Sequence, residues 1–122
     1  MSFEAHQGKL TGFKAGADLS ANAQFRWVKQ GAAAGEAILC SAATDIPLGI
    51  LQNNPKLGEG CEIVNSGISK CYAGAAVALG ARVAPDATGR SATGGAGTGQ
   101  GQALEAASAA GEVIAVLLPV RE

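Results

Sequence analysis

Aromatic side chains are scarce in this chain: three Phe, one Trp and one Tyr among 122 residues. Four of them (Phe3, Phe13, Phe25 and Trp27) precede residue 28, and only Tyr72 follows. Most of the core must therefore come from smaller groups, in a chain with 26 alanines and 18 glycines. At about 25 cal/mol per Å² of apolar burial, such a core stabilises a monomer weakly, which points to further burial by self-association. Metal-ligating and nucleophilic residues are also few. The single histidine, His6, lies near the N-terminus, away from any scaffold that would hold a catalytic base. The three cysteines have no CxxC spacing, which argues against a thiolate zinc site and a disulfide framework. Cys40 and Cys61 fall in the apolar runs AILC and CEIV and read as small buried hydrophobes.

Charge of one sign is absent too. Nine Lys and Arg stand against ten Asp and Glu, so no basic face is implied and nucleic acid is not an expected partner. No apolar run reaches membrane-spanning length, and MSFEAHQGKL lacks the apolar centre of a signal peptide. The expectation is a chain made in a reducing cytoplasm, with no membrane partner.

Glycine is abundant, most of all in GRSATGGAGTGQGQ (89–102), where six of 14 residues are glycine. A phosphate cradle fails there. The glycine pairs starting at Gly95, Gly97 and Gly99 would need a third glycine where Gln100, Gln102 and Leu104 stand, and the stretch has no lysine for a P-loop. It reads as a surface connection, or as a loop that orders against a neighbouring molecule.

Short segments bounded by turn residues fill the rest. Strands are expected at 24–30, 36–40, 48–52, 61–64, 69–72, 82–84 and 113–120. This predicts an all-β fold with little helix: a small barrel, a sandwich or an open β-tulip. The predicted organisation is an N-terminal arm at 1–23 and one β-rich domain at 24–122 that contains the glycine-rich loop. An internal repeat supports it: GILQNNPKLGEGCEIV (49–64) aligns with QALEAASAAGEVIAVL (102–117) at an offset of 53, placing Gly58-Glu59 on Gly111-Glu112. Because QNNPKLG cannot be a regular helix, its counterpart EAASAAG is expected to be a loop or at most one turn, whereas AGAAVALG (73–80) stays open between short helix and irregular strand.

The runs ADLSANAQFRWVK, PLGILQNNPKLGEGCEIVNSGISKCYAG, DATGR and ALEAASAAGEVIAVLLP together resemble the small capsid decoration (cement) proteins of tailed bacteriophages, over residues 12–119. The resemblance implies a β-rich homotrimer on the outer capsid surface of the virion. It would bind the major capsid protein at three-fold or quasi-three-fold sites, with no catalytic residue, cofactor or metal. The large apolar groups near the N-terminus (Phe3, Phe13, Leu19, Phe25 and Trp27) are then the expected capsid or subunit contacts. Two rivals come from other classes. A lipoyl- or biotinyl-type carrier would need a modifiable lysine at a hairpin tip, with Lys70 the nearest candidate. A small β enzyme would need Glu59 and Glu112 close together and buried.

Overall fold

The computed structural model describes residues 5–94 and 100–118, with side chains from residue 8 onward. Phe3, the end of the last expected strand and the middle of the glycine-rich stretch lie outside the described residues. Among these there are ten strands and no helix. They are β1 (Ala5–Leu10), β2 (Lys14–Ala15), β3 (Trp27–Gln30), β4 (Glu36–Leu39), β5 (Pro47–Leu51), β6 (Ile63–Tyr72), β7 (Arg82–Pro85), β8 (Ser91–Thr93), β9 (Gly101–Ala103) and β10 (Val113–Leu118). The fold is all-β, as the turn spacing predicted. The expected strands 61–64 and 69–72 are parts of a single strand, β6. EAASAAG forms turns, and 73–80 is irregular.

The pairings form two closed rings in tandem. In the first, β2 pairs with β4, β4 with β3, β3 with β5, and β5 with the start of β6. The start of β6 pairs in turn with β1, which leads back into β2. In the second, β8 pairs with β7, β7 with β9, β9 with β10, and β10 with the end of β6. A parallel bridge, Ala73 to Ser91, closes this ring where Ala15 to Ala37 closes the first. The ten-residue β6 is thus the last strand of one small barrel and the first strand of the next. Gly67, at φ 93°, sits at the handover.

Loop hydrogen bonds repeat as well, so the duplication extends well beyond the aligned segments. Ala15 accepts from Gly58 N and donates to Glu59 O as Ala73 does with Gly111 and Glu112, Leu19 donates to Pro55 as Val77 does to Ala107, and Phe25 to Leu51 matches Gly80 to Ala103. Each barrel has its own core. Ala15, Leu19, Val28, Leu51, Cys61 and Ile63 fill the first, and their equivalents Ala73, Val77, Val83, Ala103, Ile114 and Val116 fill the second.

Strand alternation explains how the barrels join. Val28, Leu51 and Ile63 point into the first core, so Trp27, Ile50 and Val64 point outward, and these three belong to the second cluster. The corresponding outward positions of β7 and β9 are Arg82 and Gln102. An outward face is therefore apolar where the other barrel covers it and polar at these two positions. Trp27 is the pivot: it is 1% exposed, and its indole Nε1 donates to buried Ser91 Oγ at 2.8 Å. Glycines make room for it. A Cβ on Gly101 would stand 3.3 Å from Trp27 Cη2 and 2.7 Å from Val116 Cγ1, and one on Gly89 would stand 2.6 Å from Leu39 Cδ1.

The glycine-rich stretch needs redrawing. Far from being one loop, 89–102 contains all of β8 and the start of β9. β8 and β9 flank β7 on either side, as β4 and β5 flank β3. The connection from β4 to β5 is pinned: Asp45 accepts from Ser41 N at 2.8 Å, Ala42 N at 3.0 Å and Lys29 Nζ at 3.0 Å. Small residues are tolerated in β8 and β9 because buried Ser91 and Gly101 lie against the indole, where larger side chains would collide.

The N-terminal arm also differs from expectation. Residues 5–10 form a barrel strand, and Ala15, Leu19 and Ala23 are core residues, so the first barrel does not close without this segment. The cause is β6, whose first half needs a partner on the edge that β5 leaves free.

Two predictions follow from strain and from charge. Phe25 is at φ 60°, in the left-handed region, where the second barrel has Gly80 at φ 82°. A side chain costs about 1–2 kcal/mol there, so Phe25→Gly is expected to be more stable than Phe25→Ala by about 1 kcal/mol in urea melts, the reverse of the usual order. The Asp45 carboxyl titrates below its ordinary range, first because Ser41 N–H donates to it and next because of Lys29. A depressed folded pKa contributes stability above the unfolded value, about 3.9, that is lost as pH falls through the folded one. Asp45→Asn is expected to lower the urea midpoint at pH 7 and to shrink its fall on acidification.

Candidate functional site

The expected contact residues separate by depth. Trp27 and Leu19, at 1% and 4% exposed, are not available to a partner: one joins the two barrels and the other fills the first. Their size identified them as anchors, and the structure uses them as anchors inside the chain. Phe13 is half-buried and packs against the first core. Phe25 is half-buried at the surface, with Lys70 Nζ 5.8 Å from its ring centroid. Phe3 lies outside the described residues. Large apolar groups do reach the surface elsewhere: Ile46, Leu57 and Leu79 are 85%, 68% and 70% exposed. All three sit in connections between strands; polar neighbours in sequence mark Ile46 and Leu57, whereas Leu79, within AGAAVALGA, carries no such signal.

Beside Phe25 is a polar recess of about 170 Å³, lined by Ala21, Asn22, Gln24, Arg26, Asn54 and Tyr72. Its far wall is Tyr72, at the end of β6, whose N–H donates to Phe25 O at 3.0 Å. Its near wall is the turn that follows Asp18, whose Oδ1 accepts from Ser20 N at 3.0 Å and Ser20 Oγ at 2.6 Å. Those two bonds hold the Asp18 carboxyl below its ordinary range, the side-chain one most. Gln24 Nε2 ties the wall to Gln52 O at 2.9 Å.

Arg26 is under-satisfied. Its Nη1 donates to Thr88 O at 3.1 Å, and its guanidinium carbon lies 5.8 Å from the Tyr72 ring centroid. Its Nε is shielded from water and has no hydrogen-bond partner. A buried donor left unpaired costs about 1–3 kcal/mol. Neither Arg26 nor Lys70 has a carboxylate partner among the described residues.

The features behind the two rival readings are placed differently from what those readings need. Glu59 and Glu112 are exposed, and each closes its own turn, on Lys56 N at 2.7 Å and on Ser108. The Ser108 hydroxyl and N–H hold the Glu112 carboxyl below its usual range. They are equivalent turn residues of the two barrels, not a facing pair. Lys70 lies within β6, paired with Ala115, and not at a hairpin tip.

The cysteines are all free and buried. Burial pushes the Cys40 and Cys71 thiols up to about 12, and it raises Cys61 as well. Cys71 Sγ also lies 3.0 Å from Ser91 Oγ, within the network under Trp27. Thiolate is the reactive form, so at pH 8 the native protein is expected to react with a thiol-specific disulfide reagent orders of magnitude more slowly than a free thiol. Three equivalents should be released in guanidinium. Rapid labelling of the native chain at Cys71 would contradict this burial.

Comparison with known proteins completes the picture. A family model described as phage cement protein matches residues 21–118. Among solved structures, the head fiber gp8.5 N base of bacteriophage phi29 superposes with a TM-score of 0.71 at 16% identity, covering 96% of this chain and 100% of that one. At that identity the likeness establishes a shared fold. No curated protein matches the sequence. The family match takes in every strand except β1 and β2, from the Arg26 recess to β10, and the chain therefore belongs to the phage cement protein family.

Proposed function

We propose that this chain is a structural virion protein that binds the outside of a phage capsid as a homotrimer. It sits at three-fold or quasi-three-fold sites on the major capsid protein and stabilises the mature shell. The observation that carries this reading is the cement-protein match over residues 21–118. In this reading the chain performs no catalysis, holds no cofactor and contacts neither nucleic acid nor membrane. It is made in the host bacterial cytoplasm and joins the shell from there.

The mechanism is linkage. A protein that binds the assembled lattice and not its separated parts shifts the equilibrium toward the lattice. Copies that span adjacent capsomers gain from multivalency, so weak single contacts add up across the shell. The exposed side chains of Ile46, Leu57 and Leu79 supply apolar contact area in loops that can shift without disturbing either core. Near-neutral net charge suits a protein whose attachment depends on shape and local contacts.

Purified protein mixed with undecorated capsids and imaged by cryo-electron microscopy should give density at three-fold positions. Light scattering of the free protein should give three times the chain mass. Failure to bind shells in every maturation state would refute the capsid reading, and a monomeric mass both in solution and on the shell would refute the trimer.

A further inference from the structure

The recess around Arg26 is built from parts that have no counterpart in the second barrel. There Gly80 N donates to Ala103 O as Phe25 N does to Leu51 O, and Ala81 bonds Ala78 and Ala103 as Arg26 bonds Ala23 and Leu51. The first barrel also carries extra residues. Leu19 corresponds to Val77 and Ala23 to Ala78, so Ser20, Ala21 and Asn22 have no counterpart. Alanine and glycine suffice for the fold at these places. The first barrel instead holds an arginine with an unpaired, water-shielded Nε, a phenylalanine in the left-handed region, and an added turn that walls the recess. An arginine, a strained phenylalanine and an added turn gathered at one spot, with no counterpart in the other barrel, point to a partner that the guanidinium face of the recess receives.

The chemistry of that partner follows from the lining. Guanidinium offers a planar set of N–H donors that matches a carboxylate in two-pronged fashion. The Arg26 guanidinium carbon lies 5.8 Å from the Tyr72 ring centroid, and Asn22 and Asn54 also line the recess. Lys70, over Phe25, adds a second cation beside the recess, and no carboxylate of the described chain neutralises either. A recess of about 170 Å³ admits a side chain and not a folded segment.

We propose that this recess is a socket for one carboxylate side chain, an Asp or Glu presented by the capsid protein, which docks on the Arg26 guanidinium. The proposal rests on the capsid-binding reading for the identity of the partner, and on the recess alone for the carboxylate chemistry.

Two measurements separate these. In the first, the arginine Nε–H resonances are followed by NMR while N-acetyl-glutamate methylamide, or its glutamine analogue, is added to the intact protein. A saturable shift of the Arg26 resonance with the glutamate probe and not with the glutamine probe is the expected result. Equal responses, or none, would overturn the socket whatever happens with capsids. In the second, Arg26→Gln and Asn54→Asp are compared with wild type for binding to undecorated shells. Asn54→Asp places a competing carboxylate at an exposed rim position, so it reads the socket even if Arg26→Gln fails to fold. Both should weaken binding at least about tenfold, with wild-type melting of Asn54→Asp. Unchanged affinity in Asn54→Asp alongside good wild-type binding overturns the socket and leaves the capsid reading standing. Absence of wild-type binding overturns the capsid reading, and the socket is then judged by the probe titration.

Discussion

The packing of Trp27 between two small barrels is the contact on which the rest of the structure depends. Each barrel taken alone encloses mostly alanine, valine, leucine and isoleucine, and buries little area per residue. The indole adds a large apolar surface where it is most needed, at the junction, and its N–H is satisfied by Ser91. Around it the sequence yields. Gly89 and Gly101 have no side chain because their Cβ positions would crowd Leu39, Val116 or the tryptophan itself, and Ser91 is small enough to be buried beneath the ring.

Duplication accounts for much of the chain, and departures from it carry the functional information. Where the halves agree, as in Ala15 and Ala73 or Gly58 and Gly111, the residues serve turns and cores common to both barrels. Some departures have a packing reason, such as Trp27 against Arg82, because only one barrel's outer face is covered. Others shape the surface: Arg26 against Ala81, and the added turn at Ser20 to Asn22, line a recess that the second barrel lacks the residues to build. A cement protein needs such a separation, with a scaffold that folds by itself and a few positions free to meet a shell.

The strands and their turns were largely legible in the sequence, because short apolar runs between Gly, Pro, Asn and Asp admit few other readings. The aligned segments at 49–64 and 102–117 exposed the duplication, yet only in its best-conserved quarter. β1 and β2 went unseen because AHQGKL and KA carry neither alternation nor β-branched residues; they are strands because β6 and β4 offer edges to pair with. The short β8 was hidden by glycine-rich composition for a similar reason.

By itself, the sequence determined the class: many short strands, a small-residue interior, neutral charge, and a pattern of turns shared with the cement family. Those properties are local, set by which residues tolerate extended backbone or a positive φ. Only the tertiary structure decided what each large side chain is for. A tryptophan early in a chain reads the same whether it grips a capsid or a second barrel, because burial depends on neighbours distant in sequence. The same holds for Arg26, unremarkable in QFRWVK, which becomes a candidate binding group once Thr88 takes one of its donors, Tyr72 lies against its guanidinium, and its Nε is left unpaired.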